Sequence, residues 1–280
     1  MLYRKLVFTA LLMSMAFLAD GQEIRWKRDI MDASRTGVTV PDATAPEEAL
    51  GTVKGKTYTA PNGKVYRGGS VYRVAALVAD AQPTMAIVKE VIGYSPEAMA
   101  KAYPESSLTN WYIDNFMAAV EEVTGKHVDI GIGNFGGVRV DLPAGNVIYD
   151  DIRSMFPFRN QILYMPIKGA DIKALLDSMA AGRFQILGGI RVVAKDGKVL
   201  TAEIGGEPID DERIYGLATI TFLMNGGDGL MLEKYLAGEP VVTDVDIFDA
   251  MMAQVQKATS AGEPITGKAD GRVVIIKDAE

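Results

Sequence analysis

The chain has 280 residues, 48% of them hydrophobic, which suits one large domain or two small ones with a packed core. A net charge of −7 argues against a broad basic surface for nucleic-acid backbone, so no nucleic-acid partner is expected, while local Arg and Lys can still hold a small anion. No cysteine and a single histidine exclude disulfides, thiol lipidation and a histidine-built metal site within these residues. Residues 1–21 read as a secretory signal: Arg4 and Lys5, an apolar run from Leu6 to Leu18, then small residues Ala19 to Gly21 around a cleavage point before Gln22. The run is shorter than the roughly 20 residues a spanning helix needs. The expected product is exported, periplasmic or secreted, without a membrane span after cleavage.

Residues 22–85 read as an N-terminal arm. Residues 22–50 are polar, with Pro41 and Pro46, and Lys54 to Arg73 looks β-like. Pro61-Asn62-Gly63 predicts the turn of a hairpin between Thr57-Tyr58-Thr59 and Val65-Tyr66. Residues 86–280 read as the main domain. Ser95-Pro96-Glu97 predicts a helix start. Leu108, Trp111, Tyr112, Phe116, Ala119, Val120 and Val123 predict an amphipathic helix, capped by Ser106 or Ser107 and ended by Gly125. Val128 to Ile132 reads as a buried strand. Ile172, Leu175, Leu176 and Met179 mark a second helix closed by Gly182. Asp196-Gly197 predicts a hairpin between Ile190–Ala194 and Val199–Ile204. Ile214 to Thr221 is a strand, Val245 to Val255 a helix capped by Thr243 or Asp244, and Arg272 to Ile276 a closing strand. The interleaving, without a regular βαβ repeat, predicts an α+β fold with mixed β-sheet layers flanked by helices.

Three segments stand out chemically. They are Asn134-Phe135-Gly136-Gly137-Val138-Arg139, Phe156-Pro157-Phe158-Arg159-Asn160 and Phe222-Leu223-Met224-Asn225-Gly226-Gly227-Asp228-Gly229. Each sets an aromatic ring beside an oriented polar group, a means of holding a flat polar ring. Gly131 to Gly136 matches G-x-G-x-x-G, but a dinucleotide site needs a helix starting at the glycines. Val138 to Leu142 instead alternates like a strand and meets Pro143, so that reading is rejected. Arg139 offers a forked donor to an anion or serves a surface ion pair. Phe156 reads as core, and Phe158 as a ring at a pocket mouth with Asn160 near it. Asp228 suits two sugar hydroxyls, or is simply a turn residue. His127 reads as structural, and Asp150-Asp151 as a helix N-terminus. No Gly-x-Ser-x-Gly elbow or triad order is present.

Taken together, and with Gln185-Ile186-Leu187-Gly188, the segments resemble the C-terminal domain of the 5'-nucleotidase family over roughly residues 86–277, in the family's order and spacing. Glu105-Ser106-Ser107-Leu108-Thr109-Asn110 agrees more weakly. The resemblance implies a nucleoside or nucleoside monophosphate ligand, with Phe158 and Phe222 sandwiching the base. It places Asn160 and Gly188 at the base edge, Asp228 on the ribose hydroxyls, and Asn134, Gly137 and Arg139 towards ribose and phosphate. It assigns no catalytic residue here. The family's metallophosphoesterase half, with its metals, has no counterpart in these residues, so no cofactor is expected in this chain, and divalent metals only in a separate partner chain. A family arginine near the end of the long helix is also missing, where Glu121-Glu122 stand. The implied activity is phosphoric monoester hydrolysis with a separate metallophosphoesterase chain; the alternative is an exported nucleoside-binding protein without catalysis.

Overall fold

The computed structural model describes residues 36–39 and 45–276. The signal reading at 1–21, and most of the leader at 22–50, therefore fall outside the described residues. Contacts divide the described residues into a smaller unit ending at Ala79 and a larger one from Asp80 onward.

In the smaller unit, helix α1 (Pro46–Leu50) leads into β1 (Thr52–Lys54), β2 (Thr57–Thr59) and β3 (Val65–Arg67), an antiparallel sheet in that order. Tyr58 is buried, donates to the Leu50 carbonyl at 2.8 Å and stacks on Tyr66 at 5.9 Å. Residues 69–73, expected to continue as β structure, instead begin helix α2 (Gly69–Ala81). Gly68 and Gly69, both at positive φ, break the extended run. The alanine-rich stretch from Ala75 to Ala81 then favours helix.

The larger unit is α+β. It comprises β4 (Val91–Ser95), α3 (Ser107–Thr124), β5 (Ile130–Gly133), β6 (Gly145–Ile148), α4 (Tyr149–Met155), β7 (Gln161–Lys168), α5 (Gly169–Ala181), β8 (Ile186–Gly188), β9 (Ile190–Lys195), β10 (Lys198–Ile204), β11 (Glu207–Pro208), β12 (Ile214–Ile220), α6 (Thr221–Met224), β13 (Val241–Asp246), α7 (Ile247–Ser260) and β14 (Val273–Ile276). The main sheet is five-stranded, in the order β13-β7-β12-β5-β8, with β12 and β5 parallel and the other pairs antiparallel. A second sheet runs β11-β10-β9-β14, and β4 pairs with β6. Asp196 and Gly197, at φ 50° and 74°, turn the β9–β10 hairpin as their sequence predicts.

Helix α3 lies on the main sheet with α7 beside it, burying Leu108, Ile113, Phe116 and Val120. Ser106 caps α3 in a reciprocal box with Thr109, and Gly125 ends it in the left-handed conformation. The approach is close. A Cβ on Gly131 would sit 2.7 Å from Met117 Cγ, one on Gly133 2.7 Å from the Tyr112 ring, and one on Gly188 2.6 Å from Met117 Sδ. Gly131 and Gly133 of the G-x-G-x-x-G pattern thus admit a helix against the strand, and no α-helix starts from the pattern.

Three local expectations are corrected. Ser95 ends β4 and opens no helix, because its buried hydroxyl bonds the Glu97 and Ile265 carbonyls and Met99 bridges to Leu142 soon after. Val138 to Leu142 joins no sheet, and its burial does not alternate: Val138 and Leu142 are buried while Arg139, Val140 and Asp141 between them are all exposed. Its backbone bonds are scattered, Arg139 donating to the Met155 carbonyl and Leu142 to that of Met99. The cap of α7 is Asp246, whose carboxylate accepts from Asp249 N at 3.0 Å. Pairing of Asp246 with Gln161 keeps Thr243 and Asp244 in β13.

Candidate functional site

Strand β5 ends beneath α3 at Gly133 and releases the loop that begins with Asn134. Asn134 is buried, and its Nδ2 donates to Asp228 Oδ2 at 3.1 Å. Residues 135–137 form one tight turn, with Gly137 N donating to the Asn134 carbonyl at 3.1 Å. A Cβ on Gly137 would lie 2.5 Å from Asn134 Oδ1, so a side chain there would displace the amide. Arg139 donates through Nη1 to the Gly136 carbonyl at 3.2 Å, and its guanidinium sits 5.8 Å from the Phe158 ring centroid. Phe156 is core, at 2% exposure, while Phe158 beyond Pro157 is 47% exposed.

The facing wall comes from the end of β12. Leu223 is buried, whereas Phe222 is 41% exposed and rests on Gly227, where a Cβ would fall 2.4 Å from the ring. Gly226 and Asp228 take left-handed conformations, φ 100° and 51°, which turn the carboxylate back towards Asn134. Gln185 ties the two walls together. Its Nε2 donates to Asp228 Oδ2 at 3.4 Å, and its Oε1 accepts from Phe135 N at 3.2 Å. An unbroken series of contacts therefore joins Phe158, Arg139, the 134–137 turn, Asp228, Gly227 and Phe222. Neither ring stacks on another aromatic among the described residues.

Two of the expected residues do not enter this series. Asn160 joins the fold through its carbonyl, which accepts from Ile247 N at 2.9 Å. Gly188 lies under Met117 and Ile113 of α3. His127 sits at the exposed α3–β5 turn, with Nδ1 3.3 Å from the Glu121 carboxylate. Glu121 and Glu122 close the end of α3. The Val128 amide holds the Glu121 carboxyl below its usual range, and hydrogen bonds from Lys257 and Gln254 do the same for Glu122. Asp151 accepts from Ile148 N at 2.8 Å at the start of α4, its carboxyl raised by burial.

Gln185, Lys101, Tyr103 and Arg183 belong to the neighbourhood without having been singled out. The Lys101 ammonium bonds the carbonyls of Phe135, at 3.1 Å, and Val138, and Arg183 lies over the rings of Tyr103 and Phe135. Gln185 had a signal, as the first residue of a segment with recognisable spacing; the other three had none. Among the described residues there is no group of three or more Asp, Glu or His side chains that could hold a metal ion. No helix among them is long and apolar enough to cross a membrane.

A mixed-sheet α+β domain that gathers exposed rings, amides and one carboxylate in loops at strand ends is built to hold a ligand. The chain belongs to the 5'-nucleotidase C-terminal domain family, the substrate-binding half of those enzymes, whose model matches residues 76–234. It is 30% identical over 150 residues to Protein UshA of Escherichia coli K12, covering 51% of this chain and 26% of that protein. It is 31% identical over 169 residues to the NAD 5'-nucleotidase of Haemophilus influenzae, covering 53% and 27%. A Thermus thermophilus 5'-nucleotidase precursor superposes with a TM-score of 0.64 at 24% identity, over 79% of this chain and 46% of that one. The fold is shared with a Thermus sulfate thiohydrolase, at TM-score 0.56 and 18% identity. A functional reading therefore rests on particular side chains as well as on the fold. The chain spans about a quarter of the length of these two curated relatives, 26% and 27%.

Proposed function

We propose that this chain is the nucleoside-holding half of a split 5'-nucleotidase-type hydrolase, exported and acting with a separate metallophosphoesterase chain on nucleoside monophosphates. In this reading the base lies between Phe158 and Phe222, and Asn160 and the Gly188 backbone meet its edge. Asp228 accepts the ribose hydroxyls, and Asn134, Gly137 and Arg139 face ribose and phosphate. The observation that carries the reading is the unbroken series of contacts from Phe158 through Asp228 to Phe222. It sets two exposed rings, one carboxylate and one guanidinium around a single turn, a composition suited to base, sugar and phosphate together.

The chain's part in the reaction is binding and orientation. Metal-activated water would be supplied by the partner. Incubation of the purified protein with AMP and manganese tests the division of labour. No phosphate release by this chain alone, and release on adding a metallophosphoesterase half, is the expected result; brisk release by the chain alone refutes it. Mass spectrometry of the product from the native host tests export, a mature chain starting at Gln22 being expected.

A further inference from the structure

Three cations converge on the 134–139 loop. Lys101 reaches beneath it to the carbonyls of Phe135 and Val138, Arg139 bonds the carbonyl of Gly136, and Arg183 covers Phe135 from outside. None of the three side chains pairs with a carboxylate among the described residues. The acidic groups at this loop are Asp141, which accepts from the Lys101 backbone N–H at 2.8 Å, and Asp228, occupied by Asn134 and Gln185. In a chain of net charge −7 this is a local inversion of sign, which draws anions.

Arg183 is the member best placed to read one. Its guanidinium lies 4.7 Å from the Tyr103 centroid and 5.4 Å from that of Phe135, rings themselves 5.7 Å apart. A guanidinium whose face rests on rings keeps its N–H edge for a forked acceptor. Phe184 is buried while its neighbour Arg183 is exposed, and Gln185, the next residue along, contacts Asp228. The Tyr103 hydroxyl accepts from Phe184 N at 3.4 Å, tying the ring shelf to the same segment.

We infer that Arg183, on its Tyr103–Phe135 shelf, forms a second anion subsite that favours ligands carrying negative charge beyond the first phosphate, a nucleoside diphosphate over a monophosphate. Lys101 positions the loop and adds to the field. The inference rests on the nucleoside reading for what the anion is attached to.

Titration calorimetry in chelator-containing buffer, with adenosine, AMP and ADP, tests it on the full chain. Wild type is expected to bind ADP about tenfold tighter than AMP, the scale of one charge-assisted forked contact. Arg183→Gln should bring the two within about twofold while leaving adenosine binding unchanged and lowering the melting temperature only slightly, since Arg183 is exposed and loses no more than its contacts with the Tyr103 and Phe135 rings. Equal ADP and AMP affinities in wild type, or equal losses for adenosine and ADP in the variant, overturn the inference. Failure of adenosine to bind at all refutes the nucleoside clamp instead. Inorganic pyrophosphate then decides the subsite alone: binding by wild type that Arg183→Gln abolishes upholds it, and no binding by wild type overturns it.

Discussion

Gly227→Ala probes the Phe222 ring without touching it. The added methyl would lie 2.4–2.6 Å from three atoms of that ring, well inside contact distance. The backbone itself accepts alanine, because Gly227 is not in the left-handed region as Gly226 and Asp228 are. The ring, 41% exposed, yields by swinging towards solvent, so stability should change by less than about 1 kcal/mol. Binding is different. If Phe222 is one jaw of a base clamp, losing its position forfeits a stacking contact worth about 1–3 kcal/mol, or roughly 5- to 150-fold in affinity. Adenosine titrations on wild type, Gly227→Ala, Phe222→Ala and the double variant form a closed cycle. The double variant should bind no worse than Phe222→Ala alone, since the methyl has nothing left to displace. Wild-type affinity in Gly227→Ala, or losses that add in the double variant, would refute the reasoning.

Asp228→Ala should weaken adenosine by about tenfold or more while leaving 2',3'-dideoxyadenosine unaffected, on the scale of hydrogen bonds to a charged group, read by the same calorimetry. Arg272, 8% exposed, forks onto Asp114 at 2.6 and 2.9 Å and bonds Asp270 at 3.0 Å. Arg272→Met strands both carboxylates; their partial exposure discounts the cost to about 2–3 kcal/mol, or roughly 5–10 °C in a melting curve. Hydrogen bonds from Arg272, then its charge, hold the Asp270 carboxyl below its usual 3.8. That contribution is whole above pH 3.8 and fades as pH falls through the lower folded value, so the acid-side loss of wild-type stability should flatten in Arg272→Met. Gly188→Ala pushes a methyl to 2.6 Å from Met117 Sδ and 2.9 Å from Ile113 Cγ1. Urea unfolding should show a loss of about 1–3 kcal/mol from overpacking.

Much of the fold was legible because its signals are local. The α3 cap and its Gly125 stop, the Asp196-Gly197 hairpin and the apolar stripe of α5 each sit within a few consecutive residues. Misreadings came where distant partners decide the backbone. Ser95 is committed by Ile265, and Arg139 by Met155, so neither the capping signal nor the alternation could act alone. The candidate site divides in the same way. Phe158, Phe222 and Asp228 announce themselves by glycines and prolines beside them. Gln185, 43 positions from Asp228, and Lys101, 37 positions from Val138, arrive only when the sheet is assembled.

The glycines under α3 also set a rule for how this part of the chain can vary. Met117 fills the space that a side chain at Gly131 or Gly188 would need. The three positions therefore share one fixed volume, as facing positions in a close-packed interior do. Enlarging either strand residue is tolerable only together with a smaller residue at 117. Lineages of this domain should accordingly change these sites in concert, large on the helix with small on the strands or the reverse. Such paired exchange would be seen as covariation between 117 and the two strand positions.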